Sequence, residues 1–305
     1  MRCWTSRRSS ARRADVEDRV SVTAGAHRLE FGARTLVMGV LNVTPDSFSG
    51  DGVGDSVEAA VARGLELVAQ GADILDVGGE STRPNSTEVT AEDERARVIP
   101  VLRALRQQVG IPLSIDTRKA AVAAAALDAG AAIVNDVWGL RRDPDMASVL
   151  AARDDVAVVA MHNQRGVAYV DVIGDVAAAL RESLAIAERA GIAPERVILD
   201  PGFGFGKTPA QNLELVRRLG ELRELGRPLL VGPSRKSTIG FLTGRPPDDR
   251  LEGSIALAVL AVAHGAAAVR VHDVAATVRA LRVADAVVRE IPAHIRELAA
   301  PGPTG

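Results

Sequence analysis

Short apolar runs alternate with longer stretches of helical periodicity along most of this chain, and the alternation repeats eight times. The runs fall at 35–43, 73–78, 112–117, 132–137, 156–162, 196–200, 228–232 and 267–271. Most are near-continuous in Val, Ile, Leu and Ala, as strands covered on both faces require, and this predicts a parallel sheet. The intervening helices are amphipathic. In the first, Asp55 or Ser56 can cap the N-terminus, and Val57, Val61, Leu65 and Val68 share a face. Gly71 then ends the helix as a left-handed residue would, and Gly110, Gly130, Gly191, Gly226 and Gly265 hold equivalent places. Eight βα units predict a closed (β/α)8 TIM barrel with a short N-terminal extension, rather than an open doubly wound sheet.

Length agrees with this: 305 residues hold one barrel, which typically takes ~250, plus extensions. The expected organisation is a tail over 1–19, a single barrel domain over 20–295 and a flexible Pro/Gly-rich end over 296–305. Residues 20–33 can form a hairpin plugging the barrel bottom. The tail carries Arg2, Arg7, Arg8, Arg12, Arg13 and Arg19 among serines. That composition allows an organelle transit peptide, but the plainer reading is a disordered segment or a misplaced start. The segment 255–264 is apolar around its whole circumference, which predicts a helix buried on both sides and a homodimer interface.

Composition narrows the chemistry. A net charge of −2 gives no field for nucleic acid or an anionic membrane, and 3% aromatics is too few for a base-stacking surface. No apolar run approaches the ~18 residues that span a bilayer. Cys3 is the only cysteine, so no internal disulfide and no cysteine metal site is possible. A cytoplasmic protein is expected.

The functional signal lies where polar residues close the apolar runs. In order these are Asn42, the segment Glu80-Ser-Thr-Arg83, Asp116-Thr117, Asn135-Asp136, His162, Asp200, Ser234-Arg-Lys236, and Arg270 with His272 and Asp273. In a parallel barrel every one of these sits at the C-terminal rim, where the active sites of such barrels are built. Arg83, Arg270 and His272 form a cationic cluster suited to phosphate or pyrophosphate oxygens. Asp116, Asn135 and Asp200 offer acceptors to a flat heterocycle rich in N–H donors, and Lys236 supplies a cation between the two regions.

Other motifs fail on inspection. Gly202–Thr208 looks like a nucleotide P-loop, but the first glycine of that loop would fall at Pro201. The glycines run G-x-G-x-G, which is not a dinucleotide fingerprint. The five histidines lack zinc-ligand spacing, and there is no nucleophile elbow.

At these same rim segments the chain closely resembles the dihydropteroate synthase family. The segments are Asn42-Val-Thr-Pro-Asp-Ser-Phe-Ser49, Gly78-Gly-Glu-Ser-Thr-Arg-Pro84, Ser114-Ile-Asp-Thr117, Val134-Asn-Asp136 and Met161-His162. Asp200-Pro-Gly-Phe-Gly-Phe-Gly-Lys207, Ser234-Arg-Lys236 and Arg270-Val-His-Asp273 follow in the family's order. Each motif alone is of low to moderate specificity; the ordered set over about 35–290 is very specific.

The resemblance implies condensation of 6-hydroxymethyl-7,8-dihydropterin pyrophosphate with 4-aminobenzoate. Asp116, Asn135, Asp200 and Lys236 would hold the pterin. Asn42, Arg83, Arg270 and His272 would hold the pyrophosphate, with Mg2+ coordinated near Asn42. Thr82, Pro84, Phe205 and Ser234 would border the aminobenzoate pocket, together with the 42–55 loop. In the family pyrophosphate leaves first and the aromatic amine traps a cationic pterin methylene. That needs an anion sink, with Lys236, Arg270 and His272 as catalytic groups, and two loops that close over the rim against water.

Three departures from the family pattern stand out. The acid of the first loop, a fourth catalytic group that would stabilise the cationic methylene once pyrophosphate has gone, is displaced by one residue, to Asp51 between Gly50 and Gly52, while Asp46 caps its own turn. Asn85 replaces the usual glycine after Thr82-Arg-Pro84, and Asn163 follows Met161-His162 where methionine is common. The alternative readings are a pterin-dependent methyltransferase domain, distinguished by its need for a corrinoid partner, and a non-catalytic pterin-binding paralogue, which should have lost part of the anion cluster.

Overall fold

The computed structural model describes residues 20–43, 56–80, 88–289 and 291. It opens with an antiparallel hairpin, β1 (Val20–Ala24) and β2 (His27–Phe31), in which Val22 pairs with Leu29. The eight strands of the main sheet are β3 (Leu36–Asn42), β4 (Ile74–Gly78), β5 (Leu113–Asp116), β6 (Ile133–Asp136), β7 (Ala157–Met161), β8 (Val197–Asp200), β9 (Leu230–Val231) and β10 (Ala268–Val271). They occupy the eight predicted apolar runs. All pairings in this sheet are parallel, and β10 returns to lie beside β3. A bridge from Leu199 to Leu229, with Leu199 N–H donating to Pro228 O at 2.9 Å, joins β8 to the start of β9. The barrel is therefore nearly closed.

Nine helices fill the connections among the described residues: α1 (Val57–Ala69), α2 (Ala91–Arg106), α3 (Ala120–Ala129), α4 (Met146–Ala151), α5 (Val172–Arg189), α6 (Pro209–Arg217), α7 (Ser237–Thr243), α8 (Leu251–Ala263) and α9 (Val274–Val288). Their starts follow from local chemistry. The Ser56 hydroxyl accepts from Ala59 N–H at the head of α1, and Thr208 with Gln211 forms a reciprocal capping box at α6. Gly71 ends α1 at φ +102°, a conformation only glycine adopts without strain.

Strand parity divides the core in two. Val37, Leu41, Leu75, Val77, Ile115, Val134, Val158, Leu199, Val231 and Val269 face the helices. Leu36, Met38, Ile74, Ile133, Ala157, Val159, Ile198, Leu230 and Ala268 point inward, where Val22, Leu29 and Phe31 of the hairpin meet them at the N-terminal ends of the strands. Moving up each strand by two residues from this inward layer reaches Val40 and Asn42, Asp76 and Gly78, Asp116, Asn135, Met161, Asp200, and Arg270 with His272. The apolar plug closes one end of the barrel, and a polar column lines the other.

The outer face of helix α8 leaves Leu260 48% exposed beside Ala256 and Ala263 in the single chain, and neighbouring α9 leaves Val283 and Val287 exposed. Among the described residues no helix is long and apolar enough to cross a membrane.

Candidate active site

The polar column is an ion-paired network. Arg270, on β10, donates from Nε to Asp76 at 2.6 Å and from Nη2 to Asp116 at 2.6 Å. Asp76 also accepts from Asn135 Nδ2 at 2.9 Å. Burial opposes charge on Arg270, but Asp76 and Asp116 more than offset this and hold it firmly protonated. Asp76 is fully buried, and no local motif marks it in the sequence. Its signal was there: a lone carboxylate inside the apolar run Ile74–Gly78 must be paired, because an unpaired buried charge is very costly. Because Asn135 gives its amide N–H to Asp76, its carbonyl oxygen is the atom left to accept from a ligand.

Asp116 and Asp200 are the column's other acceptors. Burial pushes Asp116 up, to about 7, against the pull of Arg270. Burial likewise pushes Asp200 up, to about 6, although it accepts from Gly202 N–H at 2.7 Å and lies near Lys236. Lys236 is pulled down by burial and by Arg270, to about 8, with Asp200 and Asp116 opposing. These mutual influences place Lys236 among all three. Its ammonium also sits 3.9 Å from the centre of the Phe205 ring, a cation–π contact joining the polar column to an aromatic wall.

Ser234 and His272 meet beside them. The Ser234 hydroxyl oxygen accepts from His272 N–H at 3.2 Å and lies 3.0 Å from Nδ1. Burial, then Arg270, Arg235 and Lys236, hold His272 down, to about 3. In the protein alone, the ring is held neutral. A neutral ring that takes the hydroxyl proton at Nδ1 presents Nε2–H as a donor. Arg235, between Ser234 and Lys236, turns through φ +58°, strained for a non-glycine residue. It is held there by a bidentate pair with Asp273, while its N–H donates to Ser254 and its carbonyl accepts from Arg250. That turn lets both flanking residues serve the site.

Asn42 ends β3 opposite Gly78. A Cβ at Gly78 would lie 3.8 Å from Asn42 Oδ1 and 3.8 Å from Asp116 Oδ2, so both oxygens border the same narrow gap. Among the described residues no group of three or more His, Cys, Asp or Glu could hold a metal. Asp116 Oδ2 is taken by Arg270, which leaves the Asn42 amide oxygen, a donor that suits a hard cation taking its remaining ligands from phosphate and water.

Two strand-end residues do other work. Asp136 has outward parity, and its carboxylate accepts from Trp138 N–H at 2.9 Å and Leu140 N–H at 2.7 Å, a structural cap. His162 follows Met161 outward and contacts Lys207. The Asn163 carbonyl, after it, accepts from Arg141. Thr82, Arg83, Pro84, Asn85 and Asp51 lie outside the described residues, as do most of the two loops expected to close over the rim.

Comparison with known proteins agrees with this geometry. The family model for pterin binding enzymes matches residues 38–272. A dihydropteroate synthase of Clostridium beijerinckii is 46% identical over 266 residues, covering 87% of this chain and 98% of its own. A solved Xanthomonas albilineans dihydropteroate synthase with 4-aminobenzoic acid superposes with a TM-score of 0.84 at 49% identity, covering 88% of this chain and 98% of its own. The same enzyme in complex with 7,8-dihydropteroate gives a TM-score of 0.81 at 48% identity, with the same coverage. This chain belongs to the pterin-binding TIM-barrel enzymes and, within them, to the dihydropteroate synthase family.

Proposed function

We infer that this chain condenses 6-hydroxymethyl-7,8-dihydropterin pyrophosphate with 4-aminobenzoate, giving 7,8-dihydropteroate and pyrophosphate. It is a transferase, as its relatives are. The observation that carries the reading is the inward polar column, with ring acceptors on one side and anion donors on the other. Asp116, Asp200 and the Asn135 carbonyl face the N–H edge of the pterin. The Arg270 guanidinium and His272 Nε2–H stabilise charge that develops on the departing pyrophosphate. Lys236, against Phe205, lies where pterin and aminobenzoate meet, and Ser234 borders the aminobenzoate side. Arg83, Thr82 and Pro84 take the roles that the family resemblance assigns them.

Mg2+ fits the oxygen chemistry beside Asn42, and when bound it would neutralise pyrophosphate charge. Asn42→Ala should then weaken pyrophosphate binding in Mg2+ buffer and leave it unchanged in EDTA. The relatives are named as synthases, which does not favour a methyltransferase domain or a non-catalytic paralogue. The exposed apolar face of α8 and α9 supports a homodimer, and sedimentation as a monomer at micromolar concentration would contradict it. A cytosolic location is proposed from the phosphorylated substrate and the single cysteine.

The testing experiment supplies purified protein with the pterin pyrophosphate, Mg2+ and 4-aminobenzoate and separates the products by chromatography. Equal amounts of dihydropteroate and pyrophosphate are expected. Turnover only when a corrinoid partner is added would overturn the reading in favour of methyl transfer.

A further inference from the structure

Lys207 is buried, and none of the roles above uses it. It closes the Gly202–Gly206 loop just ahead of α6. An ammonium has three donors and no acceptor, and three acceptors surround this one. They are His162 Nδ1 at 3.0 Å, Gly202 O at 2.9 Å and Phe205 O at 3.1 Å. Burial holds His162 down, to about 3, with Lys207 adding to the effect, so its ring is neutral and Nδ1 can accept. The ring of Tyr169 lies 5.8 Å from the ammonium. Burial pulls Lys207 down, to about 7, with Asp200 opposing, and this set of acceptors replaces part of the hydration that burial removes and favours the protonated amine.

The loop depends on such anchors. Gly202, Gly204 and Gly206 all have positive φ, at 72°, 82° and 56°. A Cβ on Gly202 would lie 1.9 Å from His162 O, so the loop is pressed against the end of β7 with no space between. Besides the lysine, Asp200 accepts from Gly202 N–H and Asn212 Oδ1 accepts from Gly204 N–H. Neither reaches residue 205, whose N–H donates to Gly202 O at 3.1 Å, a carbonyl that Lys207 also holds. Lys207 bonds the Phe205 carbonyl itself, and the ring of that residue carries the 3.9 Å contact with Lys236.

We propose that Lys207 is a positioning residue: its ammonium pins the Gly202 and Phe205 carbonyls to His162 and so holds the Phe205 ring against Lys236, setting the wall on which the aromatic amine rests. The proposal rests on the synthase reading for its substrate, and on geometry alone for the anchoring. A lysine that merely stabilised the fold would affect both substrates alike. One that acts through Phe205 separates them.

The test compares wild type, Lys207→Met, Phe205→Leu and the double variant by steady-state kinetics, and follows amide hydrogen exchange over 201–207. Loss of charge-assisted bonds to the loop should raise the KM for 4-aminobenzoate about tenfold. The KM for the pterin pyrophosphate should change less than about twofold. In the Phe205→Leu background Lys207→Met should add less than about twofold, because linked residues are not additive. Exchange over 201–207 should accelerate while the rest of the barrel keeps its protection. Equal rises in both KM values, fully multiplicative effects, or unchanged exchange would overturn the proposal. If Lys207→Met does not accumulate folded, His162→Leu removes one acceptor and should give the same pattern with a smaller shift. Absence of product from the wild type would overturn the synthase reading instead, and the exchange measurement would still decide the anchor.

Discussion

Asp76→Ala tests whether the buried network organises the site. In the fold one carboxylate oxygen takes both Arg270 Nε at 2.6 Å and Asn135 Nδ2 at 2.9 Å. Removing it deletes a charge-assisted bond worth about 1.5–3 kcal/mol and leaves a second buried donor unsatisfied at about 1–3 kcal/mol. Breaking a buried ion pair outright costs about 3–5 kcal/mol. Arg270 keeps its bond to Asp116, and repulsion between the two carboxylates is relieved, so the expected loss lies near the lower end, about 3 kcal/mol. For a domain of this size that lowers Tm by about 6–12 °C. Asp76→Asn keeps an acceptor at the shared position and should lose about half as much. Function should respond separately: an Asn135 amide without its acceptor is no longer held carbonyl-outward, and the KM for the pterin pyrophosphate should rise about tenfold. Calorimetry and urea titration read the stability, and steady-state kinetics read the KM. An Asp76→Ala variant with unchanged Tm and unchanged pterin KM would refute the reasoning.

Two further predictions follow. Asp116 at about 7 and Asp200 at about 6 both gain protons as pH falls, and each proton removes an acceptor, so pterin affinity should fall between about pH 7 and 5. Stability should stay nearly flat over that range: the two carboxylates, raised in the fold, favour the native state as pH falls, whereas His162 and His272, both at about 3 when folded, favour the unfolded state below about 6.5. A steep loss of stability by pH 5.5 would contradict this balance, and titration calorimetry with thermal melts separates the two quantities. In the first loop, Asp51→Asn should slow the chemical step while leaving pterin pyrophosphate binding nearly intact, since a carboxylate ~4 Å from a cationic methylene contributes roughly 4 kcal/mol at an effective dielectric near 20. An unchanged single-turnover rate constant would eliminate that role.

The barrel was legible because its strands are buried on both faces and read as continuous apolar runs, each closed by a polar residue. Even β9, reduced to Leu230–Val231, lies inside the predicted run 228–232. Direction within the strand was not legible. Asn135 and Asp136 are adjacent and both polar, and only the register of β6 against β5 shows that the first points into the barrel and the second out. Asp76 escaped notice because an acid within a strand carries no local motif; its partners lie 59 and 194 residues away. The charge of His272 depends first on its burial and on Arg270, and then on Arg235 and Lys236, which sequence order does not bring near it. Lys207 belonged to a recognised motif, but its role depends on His162, 45 residues earlier and on another strand end.

The most direct test of the site is the rate of dihydropteroate formation by Lys236→Ala against wild type, with melting temperatures measured on the same preparations. Lys236 touches Phe205 and lies in the field of Asp116, Asp200 and Arg270, yet it is only partly buried and its loss leaves no ion pair of the column broken. The expected result is a fall in kcat/KM of about a hundredfold or more, from about 2.7–4 kcal/mol of lost transition-state stabilisation, with Tm shifted by no more than about 3 °C. Wild-type kcat/KM in Lys236→Ala would contradict the assignment of this column as the site of condensation.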